Sequence, residues 1–96
     1  MFRTTPDADA DLIGIYEYGA LKFGVAQAER YLEGFHNVFQ FLSASPYASR
    51  ERTEVEPPVR IWPFQARMII YRIVDEDVLV LRVLGMRQDW YRHLEP

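Results

Sequence analysis

IWPFQARMIIYRIVDEDVLVLRVLGMRQDWYRHL, residues 61–94, holds the pair of apolar runs from which the class of fold follows. Two apolar runs, residues 68–74 and 78–84, are separated only by Asp75, Glu76 and Asp77. Both runs are rich in Ile, Val and Leu, and neither contains Gly or Pro. That pattern predicts two adjacent antiparallel strands with the acidic triplet as their solvated turn. Apart from Arg72 and Arg82, the runs do not alternate apolar with polar residues. Strands of this kind are covered on much of both faces, so the hairpin is expected inside a larger sheet. The rest of the chain then reads as material that covers it.

Composition sets the outer limits. Ninety-six residues predict a single domain over 1–96 with one core. Hydrophobic residues at 49% and charged residues at 26% are ordinary for a folded protein and far from disorder. Aromatics at 15% are abundant for so short a chain, which points some of them to a partner surface. The absence of cysteine excludes a disulfide staple and a thiolate metal site. The opening MFRTTPDADAD lacks the apolar run of a signal peptide, and no apolar segment approaches the roughly 20 residues of a membrane span. A cytoplasmic location without membrane contact is expected. Up to Pro58 there are 5 basic and 9 acidic residues; from Val59 onward there are 6 and 5. A chain that grips nucleic acid by its backbone carries a much denser Lys/Arg face, and here Lys22 is the one lysine. Direct nucleic-acid binding is therefore not expected.

Taken in order, residues 2–4 are a candidate edge strand. Thr5-Pro6-Asp7 is a helix start, with Thr as cap, Pro at the first helical position, and Asp7 and Asp9 near the positive end of the dipole. Leu12, Ile15 and Tyr16 give this helix an apolar face, and it is expected to end near Lys22 before Phe23-Gly24 turns the chain. A second helix is marked by Ala28, Leu32, Phe35, Phe39 and Leu42, stepping by four and three. Residues 43–46 stop it, because the residue before a proline disfavours helical dihedrals. Residues 50–58 are polar and read as a loop. Residues 59–62 form a short strand interrupted by Pro63, and the principal hairpin follows. The predicted class is α+β in the order β-α-α-β-β-β, a helical hairpin packed on a small, largely antiparallel sheet.

These residues resemble a known family. A helix with Asp11, Leu12, Ile15 and Tyr16 leads to Phe23-Gly24 and then to a helix with Gln27, Ala28 and Tyr31. Leu42, Pro46, an arginine-bearing loop, Tyr71-Arg72-Ile73, Val80-Leu81-Arg82-Val83-Leu84 and Arg87-Gln88-Asp89-Trp90 follow. The succession is similar to the ParE toxins within the RelE/ParE group of type II toxin–antitoxin systems, over residues 4–94. The resemblance implies the RelE/ParE-like fold, a ParD-like antitoxin partner in a hetero-oligomeric complex, and DNA gyrase as target. The RelE branch implies instead ribosome-dependent cleavage of messenger RNA. One departure is Gly85-Met86, where ParE-like sequences often carry His-Gly before the arginine matched by Arg87.

An RNA-cleaving site needs a base for the 2′-OH, an acid for the leaving oxygen and cations for the phosphorane. Arg67 or Arg82 could hold a phosphate and Tyr91 could serve as the acid. However, residues 50–56 bring arginines among glutamates and no lysine. His36 and His93 read as an ordinary helical residue and a solvated tail residue, and no nucleophile–base pair or metal-ligand cluster assembles. No catalytic residue, metal or cofactor is expected, and binding is the favoured reading; a RelE-like ribonuclease and a non-toxic interaction module of the same fold are the alternatives. Expected target-binding residues are Arg67, Arg82, Arg87, Gln88, Asp89, Trp90 and Tyr91, a polar-aromatic set of the kind found in binding hot spots. Expected antitoxin-binding residues are Tyr16, Phe23, Phe35, Phe39, Trp62, Phe64 and Arg72; the helix aromatics Tyr16, Tyr18, Phe23, Phe35 and Phe39 read first as core, with the excess that two helices and one sheet face cannot bury lining a groove. Structural alternatives stand beside these. Arg72 and Arg82 are suited to packing their stems on the sheet and pairing their heads with acids. Trp90 is suited to folding back over the core, and Trp62-Pro63-Phe64 reads as a packed bulge or as an edge open to an added strand.

Overall fold

A computed structural model describes residues 1–94. Strand β1 (Phe2–Thr4) leads into helices α1 (Pro6–Phe23) and α2 (Val25–Ala44), and then β2 (Glu51–Arg52), β3 (Val59–Phe64), β4 (Arg67–Val74) and β5 (Asp77–Gly85). A short 3₁₀ helix, Trp90–Leu94, closes the described chain. The five strands form one sheet in the order β1-β5-β4-β3-β2. Strand β1 runs parallel to β5, and every other neighbour pair is antiparallel. The α+β class and the helical hairpin on a largely antiparallel sheet are thus as expected. Strand β2 is an addition, two residues drawn from the stretch expected to be loop.

Local chemistry accounts for the helices. Thr5 caps α1 by accepting from the Ala8 N–H at 3.1 Å, Pro6 follows at the first helical position, and Asp7 and Asp9 lie in the first turn. Gly24 joins the helices alone, at φ 92°, a conformation that L side chains rarely adopt, and its N–H closes α1 on the Ala20 carbonyl. On α2 the stripe Ala28, Phe35, Phe39 and Leu42 is buried. The helices meet at Gly19 and Ala28, where a Cβ on Gly19 would lie in ordinary contact, 3.5 Å from that of Ala28.

The hairpin of β4 and β5 turns through Asp75 and Glu76, at φ 51° and 69°, while Asp77 already pairs with Val74. Two central residues with positive φ match the right-handed twist of the strands. Both faces of the hairpin are covered. One face carries Ile69, Tyr71, Val78, Val80 and Val83 against Ala8, Ile15, Phe35, Phe39 and Leu42 of the helices. The other carries Met68, Ile70 and Leu84, with Val59 of β3 beside them, beneath Val55, Ile61, Leu81, Trp90 and Leu94. This is why Met68, Ile69, Ile70 and Tyr71 are buried consecutively. The Tyr71 hydroxyl donates to the Pro46 carbonyl at 2.8 Å and lies 2.9 Å from Ser49 Oγ, so the buried phenol is satisfied.

The sheet's irregularity falls on β5. Ile70 pairs with Arg82 and Tyr71 with Val80, which leaves Leu81 as an extra residue. Strand β3 runs straight through Pro63 instead of bulging there. β2 pairs only with Val59 and Arg60, so residues 61–64 are an open edge, where proline is admissible. No helix is long and apolar enough to cross a membrane, among the described residues.

Candidate functional site

The start of α1 is built around the β5 bulge. Thr5 N–H donates to the Val80 carbonyl at 3.0 Å, and the Thr5 hydroxyl donates to the Leu81 carbonyl at 2.7 Å. Asp11, in the second turn of α1, accepts from the Arg82 guanidinium at 2.8 and 2.9 Å and from the Val83 N–H at 2.8 Å. This bidentate fork holds Arg82 charged, its pKa raised chiefly by the hydrogen bonds to Asp11. A third arm of Arg82 reaches the His93 carbonyl at 3.3 Å, so one side chain ties helix, bulge and tail together. Arg82 accordingly takes the structural alternative: its head is paired with an acid from the helices. Arg72 also turns inward to backbone, donating to the Pro58 and Pro57 carbonyls at 3.4 and 3.3 Å.

After β5, Gly85 N–H donates to Gln88 Oε1 at 2.7 Å and Gln88 N–H donates back to the Gly85 carbonyl at 3.1 Å, folding the tail into a tight turn. Arg87 and Met86 are exposed at its tip. Asp89 faces Arg92 at 3.8 Å. Trp90 is half-buried under the sheet, with Tyr91 edge-on to it at 5.9 Å and the Arg52 guanidinium 5.2 Å from its ring. Arg52 in turn donates to Glu54 at 2.7 and 3.1 Å, which lowers the Glu54 carboxyl below its ordinary value. Residues 87–91 are therefore brought together, with Trp90 as their anchor to the core. Arg67, on the helix side of the sheet opposite Gly85, meets this cluster only at Gln88, with which it lines a shared cavity.

A second surface lies where the helical hairpin overhangs β3. Phe64 packs edge-on against Phe35 at 4.9 Å and is stacked on Tyr31 at 6.0 Å. Gly34 makes room for it, because a Cβ there would sit 2.8 Å from Phe64 Cζ. Beyond this contact a groove of about 700 Å³ stays open between Phe23, Tyr31, Phe64 and the turn at Gln65-Ala66. Phe23 is 63% exposed at the end of α1. Trp62 projects from the same face of β3 as Phe64 and meets Phe41 at 5.2 Å.

The expected antitoxin set divides on this geometry. Phe23, Phe64 and Trp62 line the groove and the neighbouring edge. Phe35 and Phe39, at 1% and 3% exposure, are inside the core and offer no surface; the stripe of α2 that carries them is the one that must cover the sheet. Tyr16 is half-buried on α1 and Arg72 is held at the proline loop, away from the groove. Two participants escaped the sequence reading of the site. Gly34 is a glycine within an otherwise strong helix, and Asp11 is an acid on the inward stripe between Ala8 and Ile15; each of those anomalies was the available signal.

With this geometry in hand, comparison with known proteins is decisive. The family model for the ParE toxin of type II toxin-antitoxin systems, parDE, matches residues 2–90. This chain belongs to the ParE toxin family. It is 32% identical to Toxin ParE3 of Caulobacter vibrioides over 89 residues, covering 93% of this chain and 88% of that protein. It is likewise 32% identical to Toxin ParE1 of Mycobacterium tuberculosis over 94 residues, covering 97% and 96%. A chain from the chromosomal ParDE TA system of P. aeruginosa shares the fold, with a TM-score of 0.75 at 20% identity over 88% of this chain and 92% of that one. The ParE toxin of a type II system is thus the class to which groove, bulge and tail belong. Within that family this member carries Gly85-Met86 ahead of Arg87, and the small Gly85 leaves space beside Arg67 and Gln88.

Proposed function

We propose that this chain is a toxin that acts by stoichiometric protein–protein binding. It inhibits DNA gyrase through the tail cluster and the open sheet edge, and a ParD-like antitoxin laid along the apolar groove neutralises it in the cytoplasm. The observation that carries the reading is the groove lined by Phe23, Tyr31 and Phe64, which folding leaves open next to an unpaired strand edge. Contiguous apolar surface of this kind is suited to an amphipathic helix, and the adjoining edge to an extended segment. Fully covering one such aromatic contributes on the order of 1.5–3 kcal/mol. Membership in the ParE family supports gyrase as the target. The Arg82 fork, filled by Asp11, takes Arg82 out of phosphate chemistry, since a guanidinium committed to a carboxylate does not also cradle a phosphorane.

The test is a supercoiling assay with purified toxin beside a cleavage assay on translating ribosomes. The expected outcome is loss of supercoiling at toxin concentrations comparable to gyrase, restored by antitoxin, with messenger RNA intact. Cleavage of messenger RNA with supercoiling untouched reverses the reading in favour of a ribonuclease, and neither activity leaves an interaction module.

A further inference from the structure

Five arginines are half-buried among the described residues. Arg52 is held by Glu54, Arg60 by the Ser49 carbonyl and Glu51, Arg72 by the proline carbonyls, and Arg82 by Asp11. Arg67 is the fifth, and its guanidinium has no hydrogen-bond or ion-pair partner among the described residues. It lines a cavity of about 290 Å³ between α1 and the ends of β4 and β5, together with Ala10, Gly14, Arg82, Leu84 and Gln88. The space beside Gly14 of its lining is open. A Cβ on Gly14 would meet nothing within 4 Å, and one on Gly85 would come to 3.9 Å from Arg67 Nη1 and 3.5 Å from Gln88 Oε1. Gln88 spends its oxygen on the Gly85 N–H, which leaves its amide NH₂ as a donor at the same cavity. A partly desolvated cation without a counter-charge is costly, and the site holds donors in excess of acceptors.

We infer that this cavity is a receptor for a single carboxylate, the Asp or Glu side chain of a protein partner, held by the Arg67 fork and the Gln88 amide. One guanidinium fork matches one carboxylate bidentately. The local charge also favours a monoanion over a phosphate dianion: Asp11 lines the cavity already neutralised by Arg82, and Asp7 stands close enough to act on Arg82. Arg87 is exposed nearby and adds positive charge without lining the cavity. The inference rests on the binding reading only in naming a protein as the source of the carboxylate. The site itself is tested without any partner.

The full chain is titrated with sodium acetate against sodium chloride at constant ionic strength, following backbone amides, the Gln88 amide and arginine Nε–H signals by NMR. The expected result is a saturable shift of the Arg67 and Gln88 signals with acetate. Arg67→Gln weakens acetate binding about tenfold or more, as loss of a charge-assisted hydrogen bond requires. Arg87→Gln, which removes the same charge from the exposed turn, changes it by less than about twofold. Equal losses in the two variants, or shifts that chloride reproduces, overturn the site. Tighter binding of inorganic phosphate than of acetate overturns the assignment to a carboxylate. Because gyrase takes no part, failure here is separate from failure of gyrase inhibition.

Discussion

Asp11 stands on the inward stripe of α1, between Ala8 and Ile15, where periodicity alone places an apolar side chain. Its three accepted hydrogen bonds give the reason: the bulge on β5 presents the Val83 N–H and the Arg82 fork to the helix. Both side chains are largely shielded from solvent, so removing one partner leaves the other poorly solvated. Asp11→Ala and Arg82→Ala are each expected to lower unfolding free energy by about 2–3 kcal/mol, read by denaturant titration. The double variant should cost less than the two single losses combined, because the pair acts as a unit. Additive losses would show that Arg82 and Asp11 stabilise the protein separately. Two helical glycines make a second contrast. Gly14→Ala meets open space and is expected to stabilise by about 0.5–1 kcal/mol through helix propensity. Gly34→Ala drives a methyl into the Phe64 ring, so it should forfeit that gain and shift the ring currents of Tyr31 and Phe64 in NMR spectra. Identical melting shifts for the two variants would contradict the role given to Gly34. Neither Asp11 nor Gly34 was legible as a site residue, since each answers to a partner far along the chain.

Elements were legible wherever the signal was local. The stripe of α2, the Thr5-Pro6 start of α1, the Phe23-Gly24 turn and the β4–β5 hairpin all follow from spacing and turn chemistry within a few residues. What stayed hidden depends on pairing across the chain. The parallel seat of β1 against β5, the extra residue at Leu81, and the attachment of β2 to β3 have no local pattern that announces them. The fate of the tail was open for the same reason: Trp90 packs because Met68 and Leu84 leave an apolar back face beneath it. The acidic turn shows how function and folding separate at this scale. Asp75 and Glu76 both occupy positive φ, which costs an ordinary L residue roughly 1–2 kcal/mol and a glycine little. Glu76→Gly is therefore expected to raise stability by about 0.5–1 kcal/mol and leave toxicity unchanged, as judged by melting and by growth arrest. A lower melting temperature would mean that the turn's conformation is set by something other than backbone preference.

At the scale of the molecule, one sheet serves two faces with different fates. The back face is sealed by the chain's own tail and proline loop, whereas the helix side is sealed only as far as Phe35 and then opens into the groove. Aromatic richness foretold that some rings would remain outside, but not which ones; periodicity assigned Phe35 and Phe39 to the α2 stripe without telling whether it ended in core or in groove. Of the rings along the groove and its edge, Phe23, Tyr31, Phe64 and Trp62, Phe23 is the most exposed and the one whose replacement disturbs the fold least. The most direct measurement is the dissociation constant of the antitoxin complex for the wild-type chain and for Phe23→Asp, each with its melting curve. Placing a carboxylate in the groove should weaken the complex about 30-fold or more, as loss of a hot-spot aromatic does, with the melting temperature of the free toxin unchanged. An unaltered dissociation constant in a folded Phe23→Asp variant would show that the antitoxin lies elsewhere and would contradict the groove as its seat.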